Sequence, residues 1–247
     1  MVRAAMRRLA LFVTLAACGS HASPNAPDAT IPGADSAADA TSATGFGALS
    51  GMCGVLAVAD LTGATPELFR DTLMFDRRYN DPDDRPLLTT GGQHLAATPN
   101  AGGSSGFSEI FAFEELARCE HADLLKTETE IAYSMTGKIT DMEVQIAGHK
   151  IGVSVTRAVA YPFGQPYTQS TAQALISRKL SDIQMSTANV SPADHWDKQI
   201  LAVLAWDDQT ADVVAQVWAS LDAATKADTL VVVTTTAGDD TFIYTNM

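Results

Sequence analysis

Residues 138–160 read Lys-Ile-Thr-Asp-Met-Glu-Val-Gln-Ile-Ala-Gly-His-Lys-Ile-Gly-Val-Ser-Val-Thr-Arg-Ala-Val-Ala. Two alternating runs flank Ala147-Gly148-His149, where a glycine can take the positive φ of a tight turn, so this stretch predicts a β-hairpin. A period of two sorts the side chains. On the first strand Met142, Val144 and Ile146 share one face, and Asp141, Glu143 and Gln145 the other. On the second, Ile151, Val153, Val155, Arg157 and Val159 oppose Gly152, Ser154, Thr156 and Ala158. A hairpin this apolar needs cover, and the rest of the chain must supply it.

The N-terminus reads as a targeting segment. Arg3, Arg7 and Arg8 precede the apolar run Leu9 to Ala17, which is too short to span a bilayer, and Leu15-Ala16-Ala17-Cys18 closes it. That ending resembles the lipobox of bacterial lipoproteins. The resemblance implies a signal peptide over 1–17, lipid on Cys18 and a cell-envelope protein whose membrane partner is reached through that lipid; an ordinary secretory signal with an incidental cysteine is the alternative. Residues 18–48, rich in Ala, Ser, Asp, Pro, Thr and Gly, have no period that could bury a face and read as a tether. Residues 49–247 suffice for one α/β domain, with 49–119 as an N-terminal extension and 120–247 as its core. In an oxidising compartment Cys53 and Cys119 suggest a disulfide, buried free thiols being the alternative. The net charge of −13 repels polyanions unless a local basic patch overrides it.

Along the domain, Met52 to Leu61 reads as a first strand and Pro66 to Phe75 as a short helical or irregular piece. Gly91 to Gly106 is loop-rich and ends in Gly102-Gly103-Ser104-Ser105-Gly106, a formal G-x-S-x-G match that lacks a convincing strand before it. Phe107, Ile110, Phe111 and Ala117 recur at helical spacing. Ala122 to Met135 is predicted as a second helix, with Glu128 on the apolar side of Leu124, Leu125, Ile131, Ala132 and Met135, and Glu130 opposite. A carboxylate there demands a partner, a metal or a proton. A short strand is expected around Ser134 to Thr140. After the hairpin, Ser170-Thr171-Ala172-Gln173 resembles a capping box opening a helix whose stripe, Ala172, Leu175, Ile176, Leu180 and Ile183, includes Lys179. Gln199 to Trp206 and Thr229 to Thr235 read as buried strands, and Ala211 to Leu221 as an amphipathic helix between them.

The order helix, strand, strand, strand, helix, strand over about residues 120 to 206, with an acid on the helix and another in the hairpin, resembles the PD-(D/E)XK, or restriction-endonuclease-like, superfamily. The resemblance implies an αβββαβ core with an added helix and strand, and acids holding Mg²⁺ or Mn²⁺ beside a lysine. Glu128 would be the helix acid and Asp141 the strand acid. Ser154-Val155-Thr156 stands where the family has E-x-K, so Thr156 occupies the lysine position, Glu143 would supply the missing carboxylate and Lys179 the migrated cation. Arg157 and Lys150 would meet phosphate. The strand Gly-Val-Ser-Val-Thr-Arg-Ala is similar to that of a divergent bacterial and fungal subfamily.

Three functions follow: a metal-dependent phosphodiesterase or nuclease acting on nucleic acid or another phosphodiester; a catalytically silent binding module on the same fold, without cofactor; and a serine hydrolase using Ser104 with His94, His121, His149 or His195.

Overall fold

The computed structural model describes residues 42–43, 45–101 and 105–245. Cys18 and its signal, most of the expected tether, and Ser104 lie outside them. Eight strands, β1 (Ser42–Ala43), β2 (Ala48–Gly51), β3 (Leu68–Phe75), β4 (Asp123–Thr127), β5 (Met142–Ile146), β6 (His149–Ala158), β7 (Lys198–Ala205) and β8 (Leu230–Gly238), form one sheet in the order β1-β2-β3-β8-β7-β6-β5-β4. The helices are α1 (Val58–Thr62), α2 (Thr90–Ala97), α3 (Gly106–Cys119), α4 (Gln169–Asn189), α5 (Asp208–Ser220), α6 (Ala223–Lys226) and α7 (Thr241–Thr245). The fold is α/β. From α3 through β4, β5, β6 and α4 to β7 the elements run αβββαβ, followed by α5, α6 and β8.

The centre of the sheet, β3-β8-β7-β6, is parallel, and antiparallel strands flank it on both sides. Parallel strands need crossover helices, which cover both faces. Consequently every residue of β7 is buried. On one face Met142, Val144, Ile151, Val153 and Val155 join Phe111 and Leu116 of α3 and Phe242 of α7. On the other, Leu201, Val203, Val231 and Val233 meet Ile176, Leu180 and Ile183 of α4 and Val214 and Val217 of α5. Each such side chain contributes about 1.5–3 kcal/mol when fully buried.

The hairpin forms with Ile146 opposite His149, leaving Ala147 and Gly148 as the turn, both at positive φ (48° and 86°). That is the geometry of a type I′ turn, whose twist matches the strands it joins. Gly152 is needed for another reason: a Cβ there would lie 2.8 Å from the Trp196 ring. For α4 the cap is Thr168, whose hydroxyl accepts the Thr171 N–H, two residues before the expected capping box.

Several expected elements differ. Residues 122–135 are not a helix: Asp123–Thr127 pairs antiparallel with β5, and a turn carries the chain on. The apolar spacing there fits either period, and pairing with β5 decides the outcome. Pro66 to Phe75 contains a sheet strand, β3, whose buried alternation Phe69, Asp71, Leu73, Phe75 is interrupted by an acid. Met52 to Leu61 is irregular before α1, because Gly51 and Gly54 at positive φ turn the chain off β2. Residues 134–140 contain no strand, only the neighbouring bridge Tyr133 to Val190. Gly91 to Gly106 contains most of α2.

Cys53 and Cys119 form a disulfide that ties the turn after β2 to the end of α3. Among the described residues no helix is long and apolar enough to cross a membrane.

Candidate active site

The sheet has a seam where its strands end unevenly. β5 begins at Met142, opposite Val153, whereas β6 continues to Ala158. Past Val153 the backbone of β6 therefore has no strand partner on that side, and a buried amide and carbonyl must be satisfied otherwise. Two side chains do so. The Asp141 carboxylate accepts the Val155 N–H at 2.6 Å, and the Lys179 ammonium, reaching from α4, donates to the Val155 carbonyl at 2.8 Å. An acid from the hairpin and a cation from the next helix thus share one buried residue.

The α3 side of this seam holds more carboxylates. Glu109, in the first turn of α3, is buried and accepts a hydrogen bond from Asn100 Nδ2 at 2.6 Å. Glu128, in the turn after β4, accepts the Ala101 N–H. Asn100, Glu109, Thr127, Glu128 and Asp141 line one cavity of about 110 Å³. Burial, then the Asp141 charge, pushes the Glu109 carboxyl up to about 7, against the pull of Ser105 and Asn100. Asp141 is also raised, by burial first; Lys179 and the Val155 N–H pull it back, while Glu128 opposes them. Arg157 stands nearby and is lowered by its own burial, with Tyr244 and Glu109 acting in the other direction; its guanidinium donates to the Ile243 carbonyl at 3.1 Å.

The structure therefore brings Glu128, Asp141 and Lys179 to one seam, with Arg157 at its margin. Sequence reasoning missed Glu109 and Asn100; Glu109 lies in helix α3, whereas Glu128, expected on a helix, lies in the turn after β4. The other expected residues go elsewhere. Thr156 alternates toward the α4 face and does not line the cavity. Glu143 is buried against Lys150 at 3.0 Å, and Lys150 also donates to the Ala193 carbonyl, so both belong to a polar cluster outside the cavity. His94 pairs with Glu130 and His149 with Asp197, and His121 and His195 are exposed; none lines the cavity.

The oxygen donors suit a hard cation chemically. Their arrangement does not form a cradle: among the described residues no three His, Cys, Asp or Glu side chains are placed to hold a metal ion, and Asp141, Glu109 and Glu128 each already accept an N–H.

No protein-family model matches this chain. Part of it is similar to the AAC-rich mRNA clone AAC4 protein of Dictyostelium discoideum, 39% identical over 165 residues, which is 64% of this chain and 24% of that protein. The chain thus spans about a quarter of the length of the curated relative it matches. The solved structure of Pyrococcus furiosus SfsA in complex with Ca²⁺ is distantly similar, with 13% identity and a TM-score of 0.27 over 53% of this chain and 56% of that one.

Proposed function

We propose that this chain is a divergent restriction-endonuclease-like protein that processes phosphodiesters at the seam formed by Glu109, Asp141 and Lys179. The observation that carries the reading is that Asp141 and Lys179 meet on the backbone of Val155 beside a cavity that Glu109 also lines. A phosphodiester in attack by water gains negative charge on its oxygens, and a fixed ammonium stabilises that charge. Glu109, whose proton is held until about pH 7, is suited to take or give a proton near neutrality. Glu128 adds a further negative charge beside Glu109 and Asp141, and Arg157 brings a second cation to the margin. Mg²⁺ or Mn²⁺ is part of the proposal as an added component whose requirement the assay reads; no chemical step is assigned to it.

The purified domain, incubated with DNA, RNA and small phosphodiesters in Mg²⁺, Mn²⁺ or EDTA, is expected to turn over at least one class, with loss of 100-fold or more in Asp141→Asn. No turnover dependent on Asp141 in any condition overturns the catalytic reading.

A second reading is a silent binding module on the same fold. It is favoured by the lack of a three-ligand group among the described residues and by the acidic balance of the chain. Calorimetry showing phosphodiester binding without turnover would support it. Lipid on Cys18, and with it a place on the cell envelope, is proposed from the lipobox resemblance alone; mass spectrometry of the N-terminal peptide tests it.

A further inference from the structure

We infer that a second cavity, beyond the carboxyl ends of β6 and β7, binds a neutral sugar. It shares no lining residue with the acidic cavity, so the inference goes beyond the phosphodiester reading and stands or falls apart from it.

The cavity measures about 240 Å³. Val159 and Ala160 directly follow β6, Trp206 and Asp207 directly follow β7, and residues 164–167 of the loop leading to α4 complete the lining on that side. Ligands of open α/β sheets bind outside this end of the strands. The observation that points to a ligand is Tyr167. It is 8% exposed and lines the cavity, and its hydroxyl has no hydrogen-bond partner among the described residues. Burial pushes the phenol up to about 12, so it keeps its proton and needs an acceptor. A buried hydroxyl without a partner is costly, and a ligand oxygen would offset that cost.

The opening of α5 has the same need. Asp207 caps this 13-residue helix by accepting the Thr210 N–H at 2.7 Å, whereas the N–H groups of Asp208 and Gln209, in the first turn, have no acceptor within the helix. Charge then selects among acceptors. Among the described residues the lining includes the Asp207 carboxylate and no Lys or Arg, so an anionic group would meet repulsion. That carboxylate accepts hydrogen bonds and gives none, while the Gln165 and Gln209 amides do both. A hydroxyl donates as well as accepts, and a ring carrying several of them serves all these groups together, which a lone carbonyl does not. Val159, Pro166 and Trp206 offer an apolar wall to the C–H face of such a ring. Trp206 is half-buried, with Phe163 stacked over it at 5.4 Å and 27°, so the wall is partly formed within the protein. The space is smaller than the roughly 300–1,000 Å³ of drug-sized sites, which suits a single sugar ring.

The test titrates the purified protein with D-glucose, D-galactose and N-acetyl-D-glucosamine by saturation-transfer NMR, with glycerol as a polyol lacking the ring and D-glucuronate as an anionic sugar. Tyr167→Phe should fold, because it removes a hydroxyl that no described residue bonds. Gln209→Ala, at an exposed position, gives a second readout without touching the core. At least one neutral sugar is expected to bind, with affinity falling tenfold or more in Tyr167→Phe and falling also in Gln209→Ala. Glucuronate should bind at least tenfold more weakly than that sugar and recover in Asp207→Asn, which keeps the cap and removes the charge. No binding of any neutral sugar, or binding untouched by both Tyr167→Phe and Gln209→Ala, overturns the proposal. Glycerol or glucuronate binding the wild type as tightly as the sugars does so too.

Discussion

At the scale of residues, the carboxyl groups of this protein set its response to pH. Beneath α3, Asp71 of β3 and Glu115 are hydrogen-bonded to each other and buried. Burial pushes Asp71 up to about 6 and Glu115 well above its ordinary value, with each raised or restrained by the other. Such a pair resists carrying two charges, because two adjacent charges in a buried place are very costly. The folded chain keeps these protons where the unfolded chain, with ordinary values of 3.8 and 4.5, has released them. The stabilisation is therefore complete below about pH 4 and is lost as the pH rises through about 6 and beyond. Thermal melts should show Tm falling over that window, with Glu115→Gln flattening the fall; a Tm that rises steadily from pH 4 to 8 would contradict the pairing. At the seam, Lys179→Met would strip the Val155 carbonyl of its donor and cost about 1–3 kcal/mol, read by urea unfolding, whereas an unchanged midpoint would show that the contact contributes nothing. Lys179 and Asp141 could be picked out from the chain because each interrupts or opens an apolar pattern. Glu109 could not: α3 is buried nearly all round, with Glu109, Glu114 and Glu115 all inside, so the face its acids occupy cannot be told from spacing.

At the scale of elements, what could be read was what is locally self-consistent. The hairpin, α4, α5 and the buried strands β7 and β8 follow from a period or a continuous apolar run, and each of these expectations comes within a few residues of the observed element. β4 and β3 escaped the same reading. Leu124 and Leu125 fit a helix stripe as well as a strand, and only pairing with β5 decides; Asp71 breaks the alternation of β3 because its partner, Glu115, is 44 positions away in sequence, a contact no local pattern contains. The elements also offer two stability tests. Ala147 bears a φ of 48° in the turn, a region that disfavours an ordinary side chain by about 1 kcal/mol or more. Ala147→Asn should recover about 1 kcal/mol in denaturant melts, and destabilisation would argue against the type I′ turn. The Cys53–Cys119 bridge spans 66 positions, a loop for which chain entropy gives about 4 kcal/mol. Its double alanine variant should lose up to that amount, and no loss would show the bridge to be absent or strained.

On the scale of the whole molecule, the parallel centre places the crossover helices on both faces, and the antiparallel strands at one side stop short of their neighbour. That unevenness creates the seam. Asp141 from the hairpin and Lys179 from a helix meet there because the backbone of Val155 requires partners, and burial first, then the neighbouring carboxylates, raises Glu109 and Asp141. Glu109, Asp141 and Lys179 thus behave as one electrostatic unit. A carbon-detected NMR titration of the Asp and Glu carboxyls in the folded domain measures this directly, in the wild type and in Lys179→Met. Glu109 should titrate near 7 and Asp141 above the ordinary aspartate value, with Asp141 moving higher still once the ammonium is removed. Glu109 and Asp141 both titrating at ordinary carboxyl values, with no response to the loss of Lys179, would contradict it.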